Sequence, residues 1–349
     1  MFVHAVNLAL QRFVQQRLVG KRYARPEEVV EGLLAVQSQD FTGAKWGVAL
    51  RCGADDASVH EAYEDGKILR THVLRPTWHF VARDDLRWLV ELTATRVHAA
   101  NASYYRMHGL DAATAKGSNA RIVKALSKGV HLTRGELGKE VKAEGNRLAY
   151  FIMRAELDAL ICSGRMRGKQ HTYALVEERA PRSRKLERDE ALAELASRYV
   201  AGHGPAQTQD LSWWSGLTVA DSRRALEASG LSEEEIDGKK YWLGETRAAP
   251  KSKTPVVHLL PNYDELVIAF KDRSAMFEGE PSLSQLEPHF VVIDGVIVGG
   301  WRRSMSDREI GVSLKLYRRV SEAERKGIAL AAAVLARSVG LSLDLKFNE

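Results

Sequence analysis

Helical periodicity and short basic hairpins alternate three times in the first 250 residues, and this alternation limits the fold more than any single motif. Asn7 to Val19 sets Leu8, Leu10, Phe13, Val14 and Leu18 at helical spacing before a stop at Gly20. Pro26 opens a second helix, and Glu27 and Glu28 suit its dipole. Val30, Leu33, Leu34 and Gln37 then fall on one stripe, which puts Gln37 where a leucine is expected. A short helix at Ala57 to Tyr63 leads to a strand at Lys67 to Leu74, a turn at Arg75-Pro76-Thr77 and a returning strand at Trp78 to Arg83. Short helices followed by a basic hairpin are the winged-helix pattern.

The order of elements recurs, although the letters do not. Helices at Asp84 to Tyr105, at Asn119 to Ser127, after a Thr133/Glu136 capping box and at Arg147 to Cys162 precede a hairpin at Arg165 to Val176. After a polar, basic linker at 179–188, helices at Glu190 to Ala201, Gln207 to Trp214 and Thr218 to Ala228 precede a short wing at Gly238 to Leu243. Past a break at Pro250 to Pro255 the texture turns to strands, with an Asp294-Gly295 hairpin signal, one helix at Ser321 to Val339 and a last strand at Leu341 to Phe347. The expected fold is α+β. It has three tandem winged-helix modules at 1–83, 84–178 and 189–250, and a small C-terminal β-barrel-like domain at 255–349.

Composition narrows the function classes. With 349 residues, 45% hydrophobic and 28% charged, the chain can bury a sizeable core, and its net charge of +6 permits a polyanionic partner without demanding one. Cys52 and Cys162 form no CxxC pair, which argues for a reducing compartment and against a disulfide or zinc framework. The opening residues lack a signal-peptide pattern and no apolar run is long enough to span a bilayer, so a soluble cytoplasmic protein and a monomer are expected. GxxxxGK, HExxH and GxSxG are all absent, and the Val298-Gly-Gly-Trp run lacks GxGxxG. The histidines are scattered, so no metal or cofactor is expected.

Two sets of residues remain as candidates. The first is Gln37-Ser38-Gln39-Asp40, where two amides and a carboxylate would converge if the helix unwinds at Ser38; the plain alternative is a helix end whose glutamines cap neighbouring backbone. The second is the cations of the wings: Arg70, Arg75 and Arg83 in the first, Arg165, Arg167 and Lys169 in the second, Lys239 and Lys240 in the third, and Arg302 and Arg303 after Trp301. Wings that each carry several cations suit a phosphate backbone, and His72 and His79, on the two arms of the first wing, fit phosphate contact better than metal. Asp264 and Glu265 read as a structural network with Arg273, the alternative being a role toward substrate.

Several stretches together resemble the bacterial winged-helix DNA glycosylases of the AlkZ and YcaQ type, in order and across nearly the whole chain. They are Leu34-Ala-Val-Gln-Ser-Gln-Asp, Leu74-Arg-Pro-Thr-Trp-His-Phe-Val, Leu259-Leu-Pro-Asn-Tyr-Asp-Glu, Lys271-Asp-Arg-Ser and Val292-Ile-Asp-Gly-Val-Ile-Val-Gly-Gly-Trp-Arg-Arg. The resemblance implies a DNA channel, a catalytic Gln-x-Gln motif at Gln37 and Gln39 with support from Asp40, and double-stranded DNA containing alkylated purines as the partner. Ser38 departs from the apolar middle residue of that motif. The implied activity is monofunctional hydrolysis of the N-glycosidic bond of N7-alkylated guanines, extending to interstrand crosslinks. The competing reading is a non-catalytic winged-helix DNA-binding protein such as a transcription regulator.

Overall fold

The structure is a computed structural model that describes residues 7–181, 184–245, 247–249, 254–277 and 287–348. Most of the expected break at Pro250 to Pro255, and the first six residues, lie outside them. The chain opens with α1 (Leu8–Gln15), α2 (Pro26–Leu33), β1 (Val36–Gln37), α3 (Phe41–Cys52), α4 (Asp56–Glu64), β2 (Ile68–Val73) and β3 (Arg75–Ala82). It continues with α5 (Leu86–Ala100), α6 (Ala102–Met107), α7 (Ala112–Leu126), β4 (Leu132–Thr133), α8 (Arg134–Val141), α9 (Gly145–Leu157), β5 (Ile161–Ser163), β6 (Thr172–Leu175) and α10 (Val176–Arg179). Then come α11 (Arg188–His203), α12 (Thr208–Ser215), α13 (Val219–Ala228), β7 (Ser232–Ile236) and β8 (Lys239–Leu243). Last are β9 (Val257–Leu260), α14 (Glu265–Ile268), β10 (His289–Ile293), β11 (Val296–Met305), β12 (Glu309–Leu316), α15 (Glu322–Ser338) and β13 (Ser342–Asn348).

Helices therefore alternate with small sheets, ordered β1-β3-β2, β4-β6-β5 and β7-β8, and the mixed α+β class holds. The Thr133/Glu136 capping box forms at α8. Asp294 and Gly295 both take positive φ between β10 and β11, as a two-residue hairpin requires. The expected barrel is not closed. The C-terminal sheet runs β13-β12-β11-β10-β9, and its edges do not pair with each other. Helix α15 packs against both β9 and β13, covering the sheet with a helix where a barrel would need strand pairing.

Several local readings shift: α1 stops at Gln15 and not at Val19, α3 lies where the sequence reading places no helix, and α7 begins at Ala112 and not at Asn119. Asp84 to Tyr105 is two helices, α5 and α6, meeting at Asn101. Arg147 to Cys162 ends as helix at Leu157; Ala159 turns at φ +52 and Ile161 to Ser163 continues as β5. The first-wing turn falls at Leu74, φ +65, so Arg75-Pro76-Thr77 already belongs to β3.

A large core joins α2 to α4, the first sheet, α11 to α13 and the C-terminal sheet, through Trp88, Tyr199, Trp214, Phe270 and Trp301. A smaller core holds Ile122, Leu137, Phe151 and Ile152. Helix α5 serves both, with Leu86 and Leu89 in the first and Val97 in the second. Among the described residues no helix is long and apolar enough to cross a membrane, and Cys52 and Cys162 are free thiols.

His258 gives this core a pH dependence. Its Nε2 donates to the Leu18 carbonyl at 2.6 Å, its ring packs tilted against Phe13 at 5.5 Å between centroids, and burial pushes its pKa down to about 4. The unfolded chain takes up this proton near pH 6.5 and the folded chain does not, so stability is retained above pH 6.5 and lost as the pH falls toward 4, by at most roughly 3 kcal/mol. Melting temperature measured from pH 7 to pH 4.5 is expected to fall, and His258→Gln, which keeps an N–H donor, is expected to shallow that slope. An unchanged slope would remove His258 from the account.

Candidate active site around Gln37 and Gln39

The helix that carries Gln37 in the sequence reading ends four residues earlier. Leu34 is fully buried at φ +67, a left-handed conformation that breaks α2, and Val36–Gln37 then runs as an edge strand against β3. Val36 stands opposite Phe80, Gln37 opposite His79, and the Ser38 N–H donates to the Trp78 carbonyl at 2.8 Å. The strand ends at Gln37 and Gln39 already lies in a bend, so the two amides flank the buried Ser38 on either side of the strand end. Ser38 is fully buried and its hydroxyl has no hydrogen-bond partner among the described residues, so the side chain is turned into the protein and nothing in its surroundings explains the polar residue.

The two amides are held very differently. Gln37 is only 7% exposed, and its Oε1 accepts from Nη2 of Arg75 at 2.9 Å. A guanidinium only donates, so this contact fixes the amide with its oxygen on Arg75 and its NH₂ turned away. The backbone N–H of Gln37 donates to Oε1 of Glu265 at 2.7 Å. Oε2 of the same buried carboxylate accepts from Nε1 of Trp214 at 2.9 Å and lies 3.5 Å from Nε2 of His203. Gln39 is exposed, and its Oε1 accepts one long bond, 3.4 Å, from the Trp78 N–H. Asp40 N-caps α3, accepting from Gly43 N–H at 3.0 Å, and its other oxygen lies 3.6 Å from Arg303. The carboxylate is thus committed to the helix start and to β11.

The expected phosphate contacts need correction. Arg70 is buried, donates from Nε to the Ser38 carbonyl at 3.2 Å and lies 4.3 Å from the Trp78 ring, so it braces the motif and is withdrawn from solvent. Arg75 reaches Gln37, and burial lowers its pKa, with Glu265 opposing that shift. His72 pairs its Nδ1 with the buried Glu156 and packs on Trp78. His79 is fully buried, and desolvation followed by the charge of Arg75 holds it well below the usual histidine pKa, so it is neutral near pH 7. The two histidines do not face each other as a pair: His72 stands opposite Trp78 and His79 opposite Thr71. Sequence counts cations but does not reveal which ones the fold buries.

The outer cations remain in solvent. Arg165 is exposed. Arg167 pairs with Glu136 at 2.7 Å, Lys239 with Asp272 at 2.8 Å and Arg302 with Glu287 at 2.5 Å. Such exposed pairs are weak and can exchange a carboxylate for a phosphate.

Glu265 is the residue that sequence reasoning misassigned. The expected partner of Asp264 and Glu265 was Arg273. Instead Asp264 makes a bidentate pair with Arg51, at 2.8 and 2.9 Å, and Glu265 lies under Gln37. The run Leu259 to Glu265 carried the signal, but two of its partners, Gln37 and Arg51, are more than two hundred positions away. No group of three or more His, Cys, Asp or Glu residues among the described residues is arranged to hold a metal.

A family model described as DNA glycosylase AlkZ-like matches residues 30–338. The chain belongs to the AlkZ-like DNA glycosylase family. Gln37, Gln39, Arg75 and Glu265 all lie within the matched span. The solved structure of Streptomyces sahachiroi DNA glycosylase AlkZ superposes with a TM-score of 0.81 at 22% identity, over 98% of each chain, so the two share a fold. No curated protein sequence matches the chain. For an AlkZ-like glycosylase the partner is DNA and the reaction class is cleavage of an N-glycosidic bond.

Proposed function

We propose that this protein is a monofunctional DNA glycosylase that hydrolyses the N-glycosidic bond of N7-alkylated guanines in duplex DNA, with Gln37 and Gln39 as the reacting-site residues. The observation that carries this reading is the locked amide of Gln37, clamped at its side-chain oxygen by Arg75 and at its backbone N–H by Glu265. Each amide oxygen has a second lone pair, and a water donating its hydrogens to them turns its own lone pair toward C1′. A guanine alkylated at N7 is a cation and departs without protonation, so two neutral amides suffice: they position the water, and no general acid is required. An amide cannot form the imine that a strand-cleaving lyase step needs, which favours the monofunctional assignment.

Interstrand crosslinks fit the same reading. Gln39 is exposed, and a cavity between α3 and α15, lined by Trp46, Leu259 and Leu330, includes neither amide. An open working face accepts a bulky lesion that a tight base pocket would refuse.

The test is incubation with a duplex holding one N7-methylguanine, followed by alkali to reveal abasic sites. Clear strand cleavage is expected there, and negligible release from duplexes holding uracil or hypoxanthine, whose neutral bases need acid catalysis commonly worth ~10²–10⁴-fold. Efficient uracil release, or no release of N7-methylguanine, would refute the assignment.

A further inference from the structure

Helix α12 carries two adjacent tryptophans with opposite fates. Trp214 is fully buried and holds Glu265; Trp213 is 44% exposed. Its Nε1 donates to the Ile268 carbonyl at 3.1 Å, which ties the indole to α14 and fixes the ring. Two guanidinium groups lie over that ring at long range, Arg75 at 6.0 Å from the centroid and Arg273 at 5.7 Å. Arg75 is the same side chain that clamps Gln37, so Gln37, Arg75, Trp213 and Arg273 form one continuous series of contacts.

Arg273 belongs to the Lys271-Asp272-Arg273-Ser274 run, and it differs from its neighbours. Lys271 donates to Gln209, and Asp272 takes Lys239 and Ser274. Arg273 is half-buried, donates from Nε to the Phe270 carbonyl at 3.1 Å and makes no ion pair among the described residues. A partly desolvated guanidinium is normally matched by an anion, and a fixed, exposed indole offers a π-face for stacking.

We infer that Trp213 and Arg273 form a nucleotide subsite beside Gln37, in which the indole stacks on a nucleobase next to the reacting nucleotide and Arg273 takes a flanking backbone phosphate. The inference rests on the proposed glycosylase reading only in setting the reacting nucleotide at Gln37. Stacking of a base on an aromatic side chain is worth about ten-fold or more in affinity, and a phosphate contact contributes about one unit to the slope of log K against log salt.

The experiment measures binding to two duplexes, one undamaged and one with a tetrahydrofuran abasic analogue flanked by 2-aminopurine. Wild type is expected to quench 2-aminopurine, and Trp213→Ala to lose that quenching and weaken binding to the abasic duplex about ten-fold. Trp213→Phe keeps a stacking face and should retain most of both. Arg273→Gln is expected to flatten the salt slope by about one unit on either duplex, and Arg273→Lys to restore it. Wild-type affinity and quenching in Trp213→Ala, or an unchanged slope in Arg273→Gln, would overturn the subsite. The two readings fail separately: a wild type that binds as described without releasing N7-methylguanine keeps the subsite and loses the glycosylase assignment. Excision that proceeds without these binding effects does the reverse.

Discussion

Gln39→Ala is expected to lower the single-turnover release of N7-methylguanine by roughly 10²-fold, since loss of water positioning is worth effects of that size, while duplex affinity stays within a factor of about two. Gln39 is the cleaner probe of the pair. It is exposed and makes one long hydrogen bond, so its truncation removes little stability. Gln37→Ala is expected to cost at least as much in rate, but it also deprives the partly buried Arg75 of its acceptor, a penalty of about 1–3 kcal/mol in stability. Rates must therefore be compared below the melting temperature of each variant. Wild-type rates in both single variants would end the assignment of the motif to chemistry, and a loss of melting temperature without a loss of rate would mark Gln37 as a structural amide.

The second large effect concerns stability. Arg51, on α3, and Asp264, the N-cap of α14, form a bidentate pair with both side chains about 1% exposed, and Arg51 also donates to Gln16. Asp264→Ala leaves a buried guanidinium without its counter-charge and removes the α14 cap, which accepts from the Leu266 N–H at 2.9 Å. Breaking one partner of such a pair costs about 3–5 kcal/mol. Thermal unfolding should show a fall of about 4–7 °C for a chain of this size. Because α14 begins with Glu265, the variant should also loosen the backbone of Gln37 and slow excision at temperatures where the protein is still folded. A fall of only a degree or two would mean that the pair offsets its own desolvation and contributes little.

The chain's local chemistry was legible residue by residue. Thr133 with Glu136, Asp294 with Gly295, Pro26 with Glu27 and Glu28, and the apolar spacing of α1, α11 and α15 are signals that act within a few positions, and the structure uses each of them. The Gln37-Ser38-Gln39 motif was also visible as letters. Its geometry was not, because the helical stripe Val30, Leu33, Leu34, Gln37 reads the same whether or not Leu34 turns to positive φ. That turn is set by packing and by the pairing of Val36 and Gln37 with Phe80 and His79. The same distinction separates Arg165, which stays in solvent, from Arg70 and Arg75, which fold inward onto Ser38 and Gln37. It also explains Glu265, which reaches Gln37 across 228 positions of sequence. Sequence alone determined the helix caps, the Asp294-Gly295 turn and the identity of the two amides, since these depend on backbone preference and short-range hydrogen bonds. Only the tertiary structure decided which charges are buried and which way each amide points, because burial and donor–acceptor pairing are fixed by contacts between segments far apart in the chain.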